Sequence, residues 1–330
     1  MLVLAKAAMA MMLGFILSII AGLILIPILK RLKFGQNVST TIGERHMAKN
    51  GTPTLGGLIF ILPTILTLLL LKIKGSIGLE YNLIIILIVF ASYGLLGLVD
   101  DWLKIKYHNN KGLSIMFKLL CQMLIALVFF YIYIKNGGSP SVQVSSLGID
   151  INLDWMYGLF ILFLLVGTSN AVNITDGLDG LAGGLSAIAF LAYGMLAWNA
   201  TWMHGNQEVG IFCFVLIGTL LGFLLFNSHP AKVFMGDTGS LALGGALAAT
   251  AILTKHELSL AIVGGVFVVE TLSSLIQMIS IIYFHKKIFK MAPLHHHFEQ
   301  LGWSETDIVK VFYVVGLLLA MAAITYGVWL

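Results

Sequence analysis

Charge is scarce in this chain: Asp, Glu, Lys and Arg make up 10% of its 330 residues, against 59% hydrophobic residues and a mean hydropathy of +0.98. A water-facing surface needs far more charge, so a soluble globular class is excluded and a polytopic membrane protein is expected. Cysteine is nearly absent. Cys121 and Cys213 both lie inside apolar runs, which excludes a disulfide framework and a metal–thiolate centre. No soluble appendage, low-complexity tract or repeat interrupts the pattern, so residues 1–330 are expected to form a single integral-membrane domain.

Apolar runs of near-spanning length begin around Met11, Leu55, Leu83, Ile115, Trp155, Leu185, Gly210, Leu241, Leu260 and Val309. About ten transmembrane helices are expected on the criterion of roughly 20 residues each. Basic residues (Lys30, Arg31, Lys33) follow the first run instead of preceding it, so it reads as a retained helix with its N-terminus outside. Of the 19 basic residues, Lys6, Lys72, Lys74, Lys135 and Lys255 fall on one face under this topology and all the others on the opposite one. The positive-inside rule makes the richer face cytoplasmic and both termini extracytoplasmic. On the outer face, Val142, Val144, Ile149, Ile151 and Leu153 alternate around Ser145–Gly148, which predicts a short periplasmic-side β-hairpin.

Three acidic, Gly-punctuated motifs fall on the cytoplasmic side, although the charge rule takes no account of acids: Asp100-Asp101, Asn173-x-x-Asp176-Gly177-x-Asp179-Gly180, and Phe234-Met235-Gly236-Asp237-Thr238-Gly239. Carboxylates gathered where apolar helices end suit a hard divalent cation and phosphate chemistry. Asp100 and Asp101 sit near a helix C-terminus, where the dipole opposes them unless a cation is present. Asp237, between glycines at the start of an apolar helix, also reads as an ordinary N-cap.

The first cytoplasmic connection ends in Lys49-Asn50-Gly51-Thr52-Pro53-Thr54, a turn into a helix whose free N–H groups suit an anion. The last carries Pro293-Leu294-His295-His296-His297-Phe298-Glu299. With no cysteine near it, this run suits phosphate or sugar oxygens better than zinc. One charge lies inside a span: Glu270, followed by Ser273, Ser274, Gln277 and Ser280, forms a polar stripe that must face protein or water. Hydrogen bonding within the bundle and a transport pathway are both open at this point.

Taken together and in order, from about Arg45 to Glu299, these motifs resemble the phospho-N-acetylmuramoyl-pentapeptide transferases, a bacterial family of the polyprenyl-phosphate N-acetylhexosamine-1-phosphate transferase superfamily. The resemblance implies an all-α membrane fold of ten helices with both ends outside and a cytoplasmic active-site cleft, in the bacterial plasma membrane. It implies a reaction in which the phospho-sugar of UDP-N-acetylmuramoyl-pentapeptide moves onto undecaprenyl phosphate, with UMP released and Mg²⁺ as cofactor. On matching positions Asp237 would be a metal ligand with Asp100 and Asp101 beside it, and Asp100 the base or nucleophile. Asn173, Asp176, Asp179, Asn227, Phe234 and Lys49 would surround the uridine diphosphate, Phe234 stacking on uracil. His295, His296 and His297 would approach phosphate and sugar, and Lys104, Lys118 and Thr54 would contact the anion. The stretch from Arg45 to Ala48 matches only loosely, so nothing is carried over before Lys49. Gly244, Gly245, Gly264 and Gly265 would permit the close or bent packing that shapes a groove for the lipid tail.

Two other functions compete. A polyprenyl-phosphate N-acetylglucosamine-1-phosphate transferase would share the carboxylates and Mg²⁺, and the histidine run favours the muramoyl branch. An ion-coupled transporter would explain Glu270 but would hold its polar residues near the bilayer midplane. A homodimer is compatible with the sequence, and nucleic acid is not an expected partner.

Overall fold

The computed structural model describes residues 2–32, 51–107, 112–144, 149–199 and 206–329. Its helices are α1 (Leu2–Arg31), α2 (Leu58–Ile73), α3 (Tyr81–Lys106), α4 (Ile115–Lys135), α5 (Met156–Thr175), α6 (Leu181–Asn199), α7 (Asn206–Asn227), α8 (Gly236–Leu253), α9 (Leu260–Val263), α10 (Gly265–Phe284), α11 (Leu294–Gln300) and α12 (Glu305–Trp329). Among the described residues, eight helices are long and apolar enough to cross a membrane by length and composition. The chain is therefore a mostly helical polytopic membrane protein. Of the remaining apolar helices, α2 has 16 residues and α8 opens on Gly236-Asp237-Thr238, which lowers its apolarity.

Helix α8 is the axis of the bundle, with every residue from Thr238 to Leu253 buried. It packs mainly between α3 and α5. Gly97 sets the closeness of the α3 contact, because a Cβ there would overlap the backbone carbonyl of Asp237. That approach carries Asp100 and Asp101, one turn further along α3, to the start of α8. The groove expected from Gly244 and Gly245 is corrected here. Gly244 rests on Ser169 of α5 and Gly245 on Tyr93 of α3, so both serve interior packing and α8 offers no face to lipid.

The ninth apolar run is also not one helix. It breaks at Gly264 into α9 and α10, and the histidine run, read as a loop from its composition, forms α11. Two strands, β1 (Ser141–Val144) and β2 (Ile149–Asn152), pair antiparallel with Val142 opposite Ile151. Lys255, just past α8, donates to the carbonyls of Ser139 at 2.6 Å and Ser141 at 2.9 Å and so ties this small sheet to the bundle axis. Cys121 and Cys213 are free thiols on α4 and α7.

Candidate active site

A carboxylate at the C-terminal end of a helix needs positive charge, and in this fold the start of α8 provides it. Asp101, 2% exposed, accepts hydrogen bonds from the backbone N–H of Asp237 at 3.1 Å, the N–H of Thr238 at 2.9 Å and the Thr238 hydroxyl at 2.7 Å. Both of its oxygens are engaged in capping a helix 136 residues away, whose positive dipole end offsets the unfavourable end of α3. Asp237 is consequently not the cap its sequence position suggests. Its side chain turns outward, accepting from Asn173 Nδ2 at 2.9 Å and meeting Lys104 at 3.1 Å and Lys118 more closely still.

Asp100 completes the cluster. One oxygen accepts from the Leu113 N–H at 2.8 Å, at the approach to α4, and the other pairs with Lys104 at 2.6 Å. Lys118 stands on the first turn of α4, which Ser114 caps by accepting from the Phe117 N–H at 3.2 Å. A cavity of about 500 Å³ opens in front of these groups, lined by Asp100, Lys104, Lys118, Gln122, Asn170 and Asp237 among others. Asn170 and Gln122 bond each other at 3.0 Å. Neither stands out in the sequence, although Asn170 precedes Asn173 by one turn on α5 and Gln122 follows Lys118 by one turn on α4, the spacings that put side chains on one face.

Asp176 lies at the C-terminus of α5, beyond its spanning segment. Burial, and then the negative charges of Asp237, Asp101 and Asp179, push its carboxyl up to about 8, with the Gly236 N–H opposing the rise. A region that raises a carboxyl this way holds surplus negative potential and would favour a cation. Thr54 closes the floor, with its hydroxyl and Asp101 both packed against Gly236. Phe234 is half-buried and anchored by its backbone, donating to Pro53 O and accepting from the Gly56 N–H, each at 2.8 Å.

The remaining predicted residues find their hydrogen-bond partners outside the Asp100, Asp101 and Asp237 cluster. Asp179 faces His229, at 3.0 Å, and the Ala231 N–H, at 3.1 Å, while its own N–H donates to Glu305 at 2.6 Å. Asn227 spends both ends of its amide on backbone, accepting from Gly180 N–H at 3.1 Å and donating to Val233 O at 3.0 Å, and so fixes the α5–α6 loop against the α7–α8 loop. The rings of His295 and His296 lie against each other, their centroids 4.2 Å apart, while His297 departs from the pair. His295 is buried against Gly177, His296 bonds Glu299 at 2.6 Å, and His297 turns away to accept from the Lys290 N–H at 3.1 Å. Lys49 lies outside the described residues. His229, Glu305 and Glu270 were not singled out as site residues by sequence pattern, because their partners come from distant segments.

Asp100, Asp101 and Asp237 each offer an oxygen within 4.8 Å of the others, and could hold a metal ion. An all-carboxylate set suits a hard divalent cation. A second group of the same size, Asp179, His229 and Glu305, includes an imidazole.

Spanning helices that end on a shared set of carboxylates and ammonium groups define a membrane-embedded transferase of anionic substrates as the class. Residues 83–255, which include all three carboxylates, match the model of glycosyl transferase family 4. The chain is 49% identical over 322 residues to the phospho-N-acetylmuramoyl-pentapeptide-transferase of Geobacillus sp. (strain WCH70), covering 98% of each chain. It is 49% identical to the protein of that name from Bacillus licheniformis, covering 96% of each, and 48% identical to that from Bacillus subtilis (strain 168), covering 97% of each. The chain belongs to the phospho-N-acetylmuramoyl-pentapeptide-transferase family.

Proposed function

We propose that this protein transfers phospho-N-acetylmuramoyl-pentapeptide from its UDP derivative to undecaprenyl phosphate, releasing UMP and forming the first lipid-linked precursor of peptidoglycan. The observation that carries the reading is the meeting of Asp100 and Asp237 with Lys104 and Lys118 at one cavity where spanning helices end. A transporter would gather such groups along a path through the bilayer. The eight long helices, which include α10, support ten crossings when α2 and α8 are taken as two further spans. With the basic residues inside, both termini are then extracytoplasmic and the cavity cytoplasmic, at the bacterial plasma membrane.

Asp237 and Asp100 would hold Mg²⁺, since the oxygens of Asp101 are already committed to α8. Bound there, the ion would neutralise oxygens of the diphosphate. Lys104 and Lys118 then serve the substrate: they leave their carboxylates and pair with phosphate oxygens as charge develops. An oxygen of undecaprenyl phosphate attacks the phosphorus that bears the sugar, the bond to the UMP oxygen breaks, and UMP departs with the electron pair. The acceptor is already an oxyanion near pH 7, so direct attack needs little help from a base. Asp100, with one oxygen held by the Leu113 N–H and the other released when Lys104 moves to the phosphate, suits holding the cation better than nucleophilic attack.

The test is UMP release by purified protein with undecaprenyl phosphate and Mg²⁺. Turnover of the UDP-N-acetylmuramoyl-pentapeptide donor is expected. Preference for UDP-N-acetylglucosamine would move the protein to the other branch of the superfamily, and no release from either donor would end the reading. Phe234→Ala tests the uracil contact: losing a stacked base of about 1–3 kcal/mol should raise KM for the donor roughly 5- to 160-fold with kcat little changed. An unchanged KM would remove Phe234 from the donor pocket.

A further inference from the structure

Glu270 is a carboxylate with no exposure inside a helix of spanning length, a placement that is costly unless both oxygens find donors. They do, and both donors belong to one residue. His295 gives its backbone N–H to Oε1 at 3.1 Å and places its ring Nδ1 2.7 Å from Oε2. Two further members of the polar stripe hold the same returning segment, while Ser273 and Ser274 donate to the Glu270 carbonyl on their own helix. Gln277 accepts from the N–H groups of Ile288 and Phe289 and donates to Phe289 O, each at 3.0 Å, and Ser280 donates to Lys286 O at 2.7 Å. The stripe is thus a docking strip for the chain that carries the histidines, and Glu270 is its terminal clamp.

The ring's other nitrogen is the informative atom. Nε2 is buried, has no hydrogen-bond partner, and points at Gly177, where a Cβ would overlap it. A carboxylate on one side of an imidazole fixes which nitrogen carries the proton. We propose that Glu270 is a positioning residue of the transfer site, holding His295 as the Nδ1–H tautomer so that Nε2 presents a lone pair to the Asp176–Asp179 loop. A lone pair suits a hydroxyl of the transferred sugar and not a phosphate oxygen. The inference rests on the transferase reading for its substrate, but its geometry is independent of it.

Glu270→Gln is the discriminating variant, because an amide offers one acceptor and one donor and turns the ring to the Nε2–H tautomer. In the full-length enzyme it should lower kcat roughly 10- to 100-fold, the usual cost of losing a group that orients a functional imidazole. In a His295→Gln background it should change kcat by less than about twofold, since the two act through one ring. A full multiplicative loss in the double variant, or near-normal turnover in Glu270→Gln, would overturn the link. The ¹⁵N spectrum of histidine-labelled wild-type enzyme, with folded His295→Gln protein used to assign the signal, needs no turnover. A protonated Nδ1 without UMP release would keep the link and sink the transferase reading. UMP release with a protonated Nε2 would keep that reading and overturn the link.

Discussion

Replacing Asp237 with alanine is expected to lower Mg²⁺-dependent UMP release by about 10³-fold or more, the kinetic equivalent of several kcal/mol of lost charge stabilisation. The protein should stay folded. The Asp237 side chain faces the cavity, its backbone N–H remains capped by Asp101, and no core volume is removed. The substitution also frees Lys104 and Lys118 from their shared carboxylate, so donor binding can survive while turnover does not. Steady-state kinetics with a thermal melt in detergent checks both halves. Normal turnover would remove Asp237 from the chemistry, and a collapsed melt would make its role structural.

Asp101→Ala should do the opposite in kind. The buried N–H and hydroxyl of Thr238 and the part-buried N–H of Asp237 lose their acceptor, and a cap disappears from the central helix. A lost cap costs about 0.5–2 kcal/mol and each unsatisfied buried donor about 1–3 kcal/mol, with overlap between them, so a loss of about 3 kcal/mol is expected. For a chain of this size that is a melting temperature lower by about 4 °C. Activity falls with it, because Asp237 is carried on the turn that Asp101 holds. Asp100→Asn is the contrast: activity should drop with little change in the melt, since an amide oxygen can still accept from Leu113 N–H. If Asp101→Ala melted like the wild type, the division between a capping carboxylate and two reactive ones would fail.

The neighbouring acids show how far sequence reasoning reaches. Asp100 and Asp101 were legible as a pair in need of positive charge, because dipole direction follows from position along a helix. Which positive group each would find was not legible, since the Asp101 partner lies 136 residues on and the Asp100 partners come from α3 itself and the turn into α4. The same holds for Glu270: hydropathy marks it as a charge that must be paired, but only the fold brings α11 back to it. Apolar runs located the starts of most long helices to within about five residues, α1 excepted, which begins nine residues before Met11. They missed the break at Gly264 and the helix in the histidine run, where local backbone geometry and docking on α10 outweigh composition.

Divalent-cation binding can be read without turnover. Mn²⁺ titrated into the purified enzyme in the presence of UMP, followed by electron paramagnetic resonance, should show one site per chain that Mg²⁺ displaces and that Asp237→Ala abolishes. A wild-type enzyme that binds no Mn²⁺, or a variant that binds it as tightly as the wild type, would contradict a cation centre at Asp100 and Asp237.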